Sequence, residues 1–186
     1  MTTPPVDREA IASELEASRL RLHDLLAGAG ADDLRRGSRG TDWTNEELLF
    51  HMVFGFLIVR TLLPLVRLMS RLPPPVGKGF AGVLDFMTRP FHVVNFWGSR
   101  VGARVFGARR MGGLCDRVVA ALRRSLEQEP EENLRRGMPF PTGWDPYFTS
   151  YMTLAEVYRY PNLHFEHHRR QLTLAGGNSH EGSSGR

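Results

Sequence analysis

The sequence has little cysteine and little lysine, since it contains one of each among 186 residues. A single cysteine, Cys115, excludes an internal disulfide framework and suits a reducing compartment. Cys115 lies in an apolar, helix-periodic stretch, which predicts a small buried hydrophobic residue rather than a catalytic thiol.

A long uninterrupted apolar run is also missing. The most apolar segment, residues 48–69, is interrupted by His51, Arg60, Pro64 and Arg67. These interruptions predict that the segment does not cross a membrane. The first residues show neither a basic region nor an apolar core of a signal sequence, so a cytoplasmic location is expected.

Alternation of apolar and polar residues with period two is absent, so no strand is predicted. The chain is 41% hydrophobic and 24% charged, which is ordinary for a globular protein. Its length predicts one domain, residues 1–175. The glycine- and serine-rich residues 176–186 are predicted to form a disordered tail.

Charge is unevenly distributed along the chain. The formal net charge is +4, but residues 61–128 hold 11 basic and 3 acidic residues, a balance of +8. Such a region could attract an anionic small molecule, an anionic membrane surface or nucleic acid. No nucleic-acid-binding motif is present, so a small-molecule substrate, anionic in character, is the predicted partner.

Helical periodicity recurs in four segments, about residues 7–26, 45–69, 111–128 and 153–174. Thr44 and Glu47 have the spacing of a capping box at the start of the second segment, and Thr153 and Glu156 repeat it at the start of the last. Pro64 should kink or end the second helix.

The segment between the second and third helices, residues 73–110, mixes glycine, arginine and aromatic residues, and Pro90 should interrupt any helix there. One or two short helices are expected in it. The predicted fold is all-α: a four-helix bundle with an irregular, partly helical insertion between the second and third core helices.

Three of the seven histidines fall within five residues near the end of the chain. In a helix His164 and His168 lie on one face, one turn apart, where two imidazoles can bind one metal ion. Gln171 shares that face and could reach the same site. His167 is about 100° round the helix and should face a partner or solvent.

A third ligand could come from His51, which lies two turns into the second helix on its inward side. It is either a ligand or a hydrogen-bonded core residue. Three neutral imidazoles suit zinc, nickel, copper or iron rather than magnesium or calcium. A fourth position left open would make a catalytic type of metal site. His23 and His92 lack paired spacing and are expected at the surface, and Glu166 faces away from His164.

The motif Trp43-Thr44-x-x-Glu47-x-x-x-His51, followed by His164-x-x-x-His168-x-x-Gln171, resembles the DinB/YfiT-like superfamily of small metal-binding helical bundles. The resemblance covers residues 7–72 and 111–174, whereas the longer, basic and aromatic residues 73–110 depart from it. It implies a four-helix bundle with an unusual crossover, often dimeric, with a divalent metal held by His51, His164 and His168.

The resemblance further implies chemistry of the thiol-dependent S-transferases, isomerases and hydrolases that use mycothiol, bacillithiol or glutathione. In this hypothesis the metal is zinc, nickel or iron and the second cofactor is a low-molecular-weight thiol. Two alternatives remain open. One is a non-catalytic binding or interaction module, and the other is attachment to a membrane surface through residues 80–106, where arginines flank aromatic side chains.

Overall fold

The computed structural model describes residues 4–175. Helices account for 72% of the structure, so the prediction of an all-α protein is confirmed. The predicted tail, residues 176–186, and His180 within it lie outside the described residues. The described part contains seven helices and one pair of short strands: α1 (Arg8–Gly28), α2 (Ala31–Arg35), α3 (Asn45–Met69), α4 (Pro74–Phe86), α5 (Thr88–Glu127), α6 (Glu131–Arg135), β1 (Gly137–Pro139), β2 (Tyr151–Thr153) and α7 (Leu154–Arg169).

The four long helices pack on one another around the core. Helix α3 packs against α5 and α7, and α1 packs against the same two helices from the other side. Helix α3 contributes the largest share of buried residues, among them Leu49, Phe56 and Leu63. The site described below therefore lies between two helices whose relative position the core fixes.

Helix α3 runs from Asn45 to Met69, as predicted. Its capping box is formed, because Thr44 Oγ1 accepts from the Glu47 amide and the Glu47 carboxylate accepts from the Thr44 amide. Pro64 lies inside the helix without ending it. Helix α7 begins with the same box at Thr153 and Glu156 but ends at Arg169, before the predicted end near residue 174.

By length and composition alone, α3 is also apolar enough to cross a membrane. Within the fold, 56% of its most apolar 18-residue window is buried against other helices. A core helix meets the same test, so the predicted absence of a membrane span stays a prediction.

The prediction of an irregular insertion over residues 73–110 is wrong, because that segment is helical almost throughout. Helix α4 ends at Phe86 and α5 starts at Thr88. Pro90 is tolerated because it lies in the first turn of α5, where a helix needs no amide donor. The third predicted helix, residues 111–128, is only the second half of this 40-residue helix.

Helix α5 is broken at Gly107, which has φ 59° and ψ 168°. That conformation is essentially restricted to glycine. The next amide, Ala108 N–H, donates to Glu46 Oε1 of α3 at 3.1 Å. Glu46 thus caps the second half of α5 from a neighbouring helix.

The expectation of no strand is also wrong. Strands β1 and β2 pair antiparallel, with Met138 opposite Met152. Each strand has three residues, which is too short for a period-two pattern to be visible in the sequence. The pair closes the loop of residues 140–150, and this loop carries part of the site.

Candidate metal centre

His51 lies on the buried side of α3 and is 3% exposed. Its Nδ1 lies 3.1 Å from Ser99 Oγ of α5. The Ser99 hydroxyl already donates its proton to the Asn95 carbonyl at 2.8 Å. Ser99 therefore accepts from His51 Nδ1–H, which leaves the lone pair of His51 on Nε2.

His164 and His168 lie one turn apart on α7, and each is held through its Nδ1. His164 Nδ1–H donates to Asp145 Oδ2 at 2.9 Å. His168 Nδ1 lies 2.6 Å from Gln171 Oε1, a carbonyl oxygen that can only accept. With Gln171 in this orientation, both histidines also have their lone pair on Nε2.

The three rings converge on one point between α3 and α7. The candidate ligand atoms all lie within 4.8 Å of one another, and the Nε2 atoms of His51 and His168 are 3.1 Å apart. His164 Nε2 is buried and has no hydrogen-bond partner. Three nitrogens bound to one tetrahedral ion at 2.0–2.1 Å would lie about 3.3 Å apart. The arrangement therefore fits a divalent metal ion.

Burial holds the imidazoles of His51 and His168 neutral. Burial, together with the charge that the other two rings would carry, lowers the pKa of His51 well below its usual value. Burial and the neighbouring His164 lower the pKa of His168 to about 4. Neutral imidazoles are the form that binds metal, so His51 and His168 are ready to bind an ion without first losing a proton.

Asp145 completes the site from the loop of residues 140–150. Besides His164, its carboxylate accepts from the Tyr160 hydroxyl at 2.9 Å and from the Tyr147 amide at 2.9 Å. Burial alone would raise the pKa of Asp145, but its hydrogen bonds, chiefly the one from His164, bring the pKa below its ordinary value. The side chain is thus an ionised orienting group, as carboxylates behind metal-bound histidines are.

Gly55 allows His164 to approach α3 closely. A Cβ atom at this position would lie 2.8 Å from Cδ2 and 3.3 Å from Nε2 of His164. No side chain would fit there without moving the ring. Trp43 covers the site from the other side, with its ring centroid 4.4 Å from that of His51 and 6.5 Å from that of His168.

An apolar pocket opens against this centre. It has an empty volume of about 720 Å³, its open mouth included, and both His51 and His164 line it. The other lining residues come from α3, α4, the first part of α5, the segment 138–148 and α7. The aromatic ones are Phe80, Phe91, Phe140, Trp144, Phe148 and Tyr160.

Trp144 joins the two parts of the pocket wall. Its Nε1–H lies 3.1 Å from both the Leu84 carbonyl and Thr88 Oγ1, at the junction of α4 and α5. Its ring stacks on Phe91 with centroids 4.0 Å apart. Asp145, which binds His164, is the next residue in the chain. The hydrogen bonds of Trp144 therefore link residues 73–110 to the position of His164.

The other candidates lie outside the three-histidine set. His167 contacts the Tyr147 hydroxyl at 3.3 Å, and Glu166 pairs with Arg169. His23 binds Asp116, and His92 is exposed beside the Gly143 carbonyl. Cys115 is buried, as predicted, and burial raises the pKa of its thiol to about 12.

Reasoning from the sequence missed Asp145, Ser99 and Gly55. The only available signal for Gly55 was its position one turn after His51, on the same helix face. Asp145 and Ser99 carried no signal, since neither has a fixed spacing from the histidine that it holds.

Comparison with known proteins identifies no relative: no family model matches the chain, and no curated protein or solved structure matches it.

Proposed function

We propose that the protein is a divalent-metal-dependent enzyme in which His51, His164 and His168 hold the ion. The observation that carries the proposal is the convergence of three Nε2 lone pairs, one of them on a buried atom without a partner. Each ring is fixed by a separate acceptor, so the lone pairs are directed before any ion binds. An ordinary buried histidine cluster would instead satisfy these nitrogens with donors.

The reaction that we propose is that of a thiol-dependent S-transferase, isomerase or hydrolase. A divalent ion with an open position lowers the pKa of a bound thiol or water and so supplies a nucleophile near neutral pH. The protein's own residues orient the ligands through Asp145, Ser99 and Gln171, and the pocket walls exclude water from the open side. The packing of α1, α3, α5 and α7, together with the order of the two histidine motifs, supports a bundle of the DinB type.

Metal titration of chelator-treated protein tests the metal site. The wild type should bind about one zinc or nickel ion per chain, and His51→Ala, His164→Ala and His168→Ala should each abolish stoichiometric binding. His23→Ala, which removes a histidine of α1 paired with Asp116, is the matched control and should bind like the wild type. Equal metal binding by the wild type and His164→Ala would overturn the proposal.

The thiol chemistry has its own test. Metal-loaded protein should accelerate conjugation of monochlorobimane by mycothiol, bacillithiol or glutathione, and His51→Ala should not. If the wild type gives no more product than His51→Ala with every one of the three thiols, the transferase assignment is wrong even though the metal site stands.

A second candidate function, attachment to a membrane surface, is favoured by an exposed apolar stripe on α5. Val94, Trp97, Val101 and Val105 follow helical spacing and are 53–61% exposed. Phe86, at the end of α4, is 84% exposed. This part of the chain also has the excess of basic residues, which suits anionic lipid.

Co-sedimentation with lipid vesicles tests this second candidate function. Vesicles containing phosphatidylglycerol should bind the wild type more strongly than phosphatidylcholine alone, and Trp97→Glu should abolish the difference. Leu163→Glu, at an exposed position of α7, is the control. Equal binding to both kinds of vesicle would exclude attachment to an anionic membrane surface. If analytical ultracentrifugation shows a dimer that Val101→Glu dissociates, the stripe is instead the contact surface for a second copy of the chain.

A further inference from the structure

The pocket beside the three histidines is a concave, mostly apolar cleft. Its empty volume is about 720 Å³, a figure that includes the space at the open mouth. Concave, mostly apolar clefts of this kind are where proteins usually bind small molecules. His51 and His164 line it, so a molecule seated in the pocket would reach the metal centre without leaving the enclosed space.

The lining determines which chemistry the pocket favours. Most of it consists of aliphatic and aromatic side chains, such as Ile58 and Leu62 of α3, Leu84 of α4 and Phe91 of α5. Among the side chains that the structure describes, none that lines the pocket is positively charged. The basic residues of the segment 61–128, on which the prediction of an anionic substrate rests, are not among the described side chains that line the pocket. They would therefore not neutralise the charge of an anionic ligand bound there.

Polar groups lie mainly at the histidine end. Asp145 lines the pocket there, but His164, Tyr160 and the Tyr147 amide occupy its carboxylate. The remaining polar lining residue outside this cluster is Asn95, close to Ser99 in sequence. A ligand thus meets metal-binding nitrogens at one end and apolar walls along the rest of its length.

We infer that the substrate is an amphipathic small molecule, with one metal-binding head and an aryl or medium-length alkyl tail that fills the pocket. The inference rests on the proposed function for the head and on the pocket alone for the tail. It also gives residues 73–110 a role, because α4 and the first part of α5 form one wall of the tail site. The polar thiol cofactor would then approach from outside the apolar part.

The tail site can be tested without metal by using N-phenyl-1-naphthylamine, an apolar dye whose fluorescence rises in apolar surroundings. The chelator-treated wild type should bind the dye, and Leu62→Gln should weaken its binding at least about tenfold. Leu68→Gln is the matched control, because Leu68 lies on the same helix but is 57% exposed. Ile58→Trp, which fills the pocket while keeping it apolar, is a second variant in case Leu62→Gln is unstable.

The head is tested by displacing the dye from zinc-loaded protein with hydroxamic acids. Each methylene moved from water into the pocket strengthens binding up to about fourfold. Octanohydroxamic acid, with six more methylenes than acetohydroxamic acid, should therefore displace the dye at a concentration at least about 100-fold lower. Removing zinc should weaken the binding of octanohydroxamic acid but leave the binding of the dye unchanged.

The outcomes are distinguishable. Dye binding that Leu62→Gln and Ile58→Trp leave unchanged, or no dye binding by the wild type, overturns the tail site. If the dye binds normally but zinc does not change the affinity for octanohydroxamic acid, the metal-binding head is wrong. The proposed function then fails with it, while the tail site stands. Equal potency of the two hydroxamic acids on zinc-loaded protein would show that the pocket does not take the tail.

Discussion

Asp145 fixes the ring of His164, and with it the direction of a nitrogen that has no other partner. Its carboxylate is ionised and lies 2.9 Å from His164 Nδ1. A carboxylate behind a metal-bound histidine raises the basicity of the ring, and its loss typically weakens metal binding 10–100-fold.

We predict that Asp145→Asn weakens zinc binding by about 10–100-fold, because a neutral amide orients the ring but polarises it less. Competition with a chelator of known affinity measures the change. Asp85→Asn, at an exposed carboxylate of α4, is the control and should bind zinc like the wild type. Unchanged zinc affinity in Asp145→Asn would show that the carboxylate only packs against the ring.

Gly55 is the other single residue on which the site depends. We predict that Gly55→Ala displaces His164 and weakens zinc binding, since the new methyl group would lie 2.8 Å from the ring. Circular dichroism should show no loss of helix, because alanine favours helix more than glycine does. Gly98→Ala is the matched control, since its methyl group would lie at an ordinary 3.5 Å from Phe54. If both variants bind zinc equally well, the close approach at Gly55 is not needed.

The histidines could be predicted from the sequence because helix geometry alone places His164 and His168 on one face. Spacing alone leaves His51 open between ligand and core residue, whereas the family resemblance implies a ligand. The structure shows His51 Nε2 at 3.1 Å from His168 Nε2. Asp145 could not be predicted, because it reaches His164 through a loop whose course depends on Trp144 and the junction of α4 and α5. Long-range contacts of this kind leave no periodic signal.

The break in α5 at Gly107 separates its more deeply buried second half from the first half, which carries the pocket residues Phe91 and Asn95. Its φ of 59° and ψ of 168° are accessible to glycine but strained for any other residue. A Cβ atom there would meet nothing within 4 Å, so any effect of substitution comes from the backbone.

We predict that Gly107→Ala lowers the free energy of unfolding by about 1–3 kcal/mol. Gly113→Ala, six residues further along the same helix, should have the opposite sign and stabilise by up to about 1 kcal/mol. Its methyl group would make only an ordinary contact of 3.8 Å with Arg117. Urea denaturation measures both, and stabilisation by Gly107→Ala would mean that α5 is not broken there.

Element boundaries were predicted well where the signal is local. Both capping boxes mark their helix starts at Asn45 and Leu154 because the Thr and Glu side chains bind amides three residues away. The sequence predicts the segment 73–110 poorly, because Pro90 indicates an interruption but lies in the first turn of α5. Sequence alone does not tell a first-turn proline from an interior one.

A buried polar network joins α3, the end of α5 and α7 across the protein. Arg67 Nε donates to Glu129 Oε2 at 2.7 Å, and its Nη2 donates to Tyr158 Oη at 3.0 Å and to Ser125 Oγ. Glu129 is 5% exposed, so the cost of burying its carboxylate is offset by Arg67 and by the side-chain amide of Asn133, which donates to Glu129 Oε1 at 2.9 Å.

We predict that Arg67→Met lowers the free energy of unfolding by about 3–5 kcal/mol, because it leaves Glu129 buried without a cation. The double variant Arg67→Met/Glu129→Met should lose less than the sum of the two single variants, since no uncompensated charge remains. Thermal and urea unfolding give the four values of the cycle. Strict additivity would mean that the two side chains stabilise the fold independently.

Trp43, whose ring lies against that of His51, offers an intrinsic fluorescence signal for metal binding. Its indole lies within reach of the cation–π attraction of any positive charge that enters between the rings. We expect intrinsic emission to change on zinc addition in the wild type and in Trp97→Phe, but not in Trp43→Phe. Occupancy of the centre could then be followed in unlabelled protein, in real time and at low concentration, before any substrate is known.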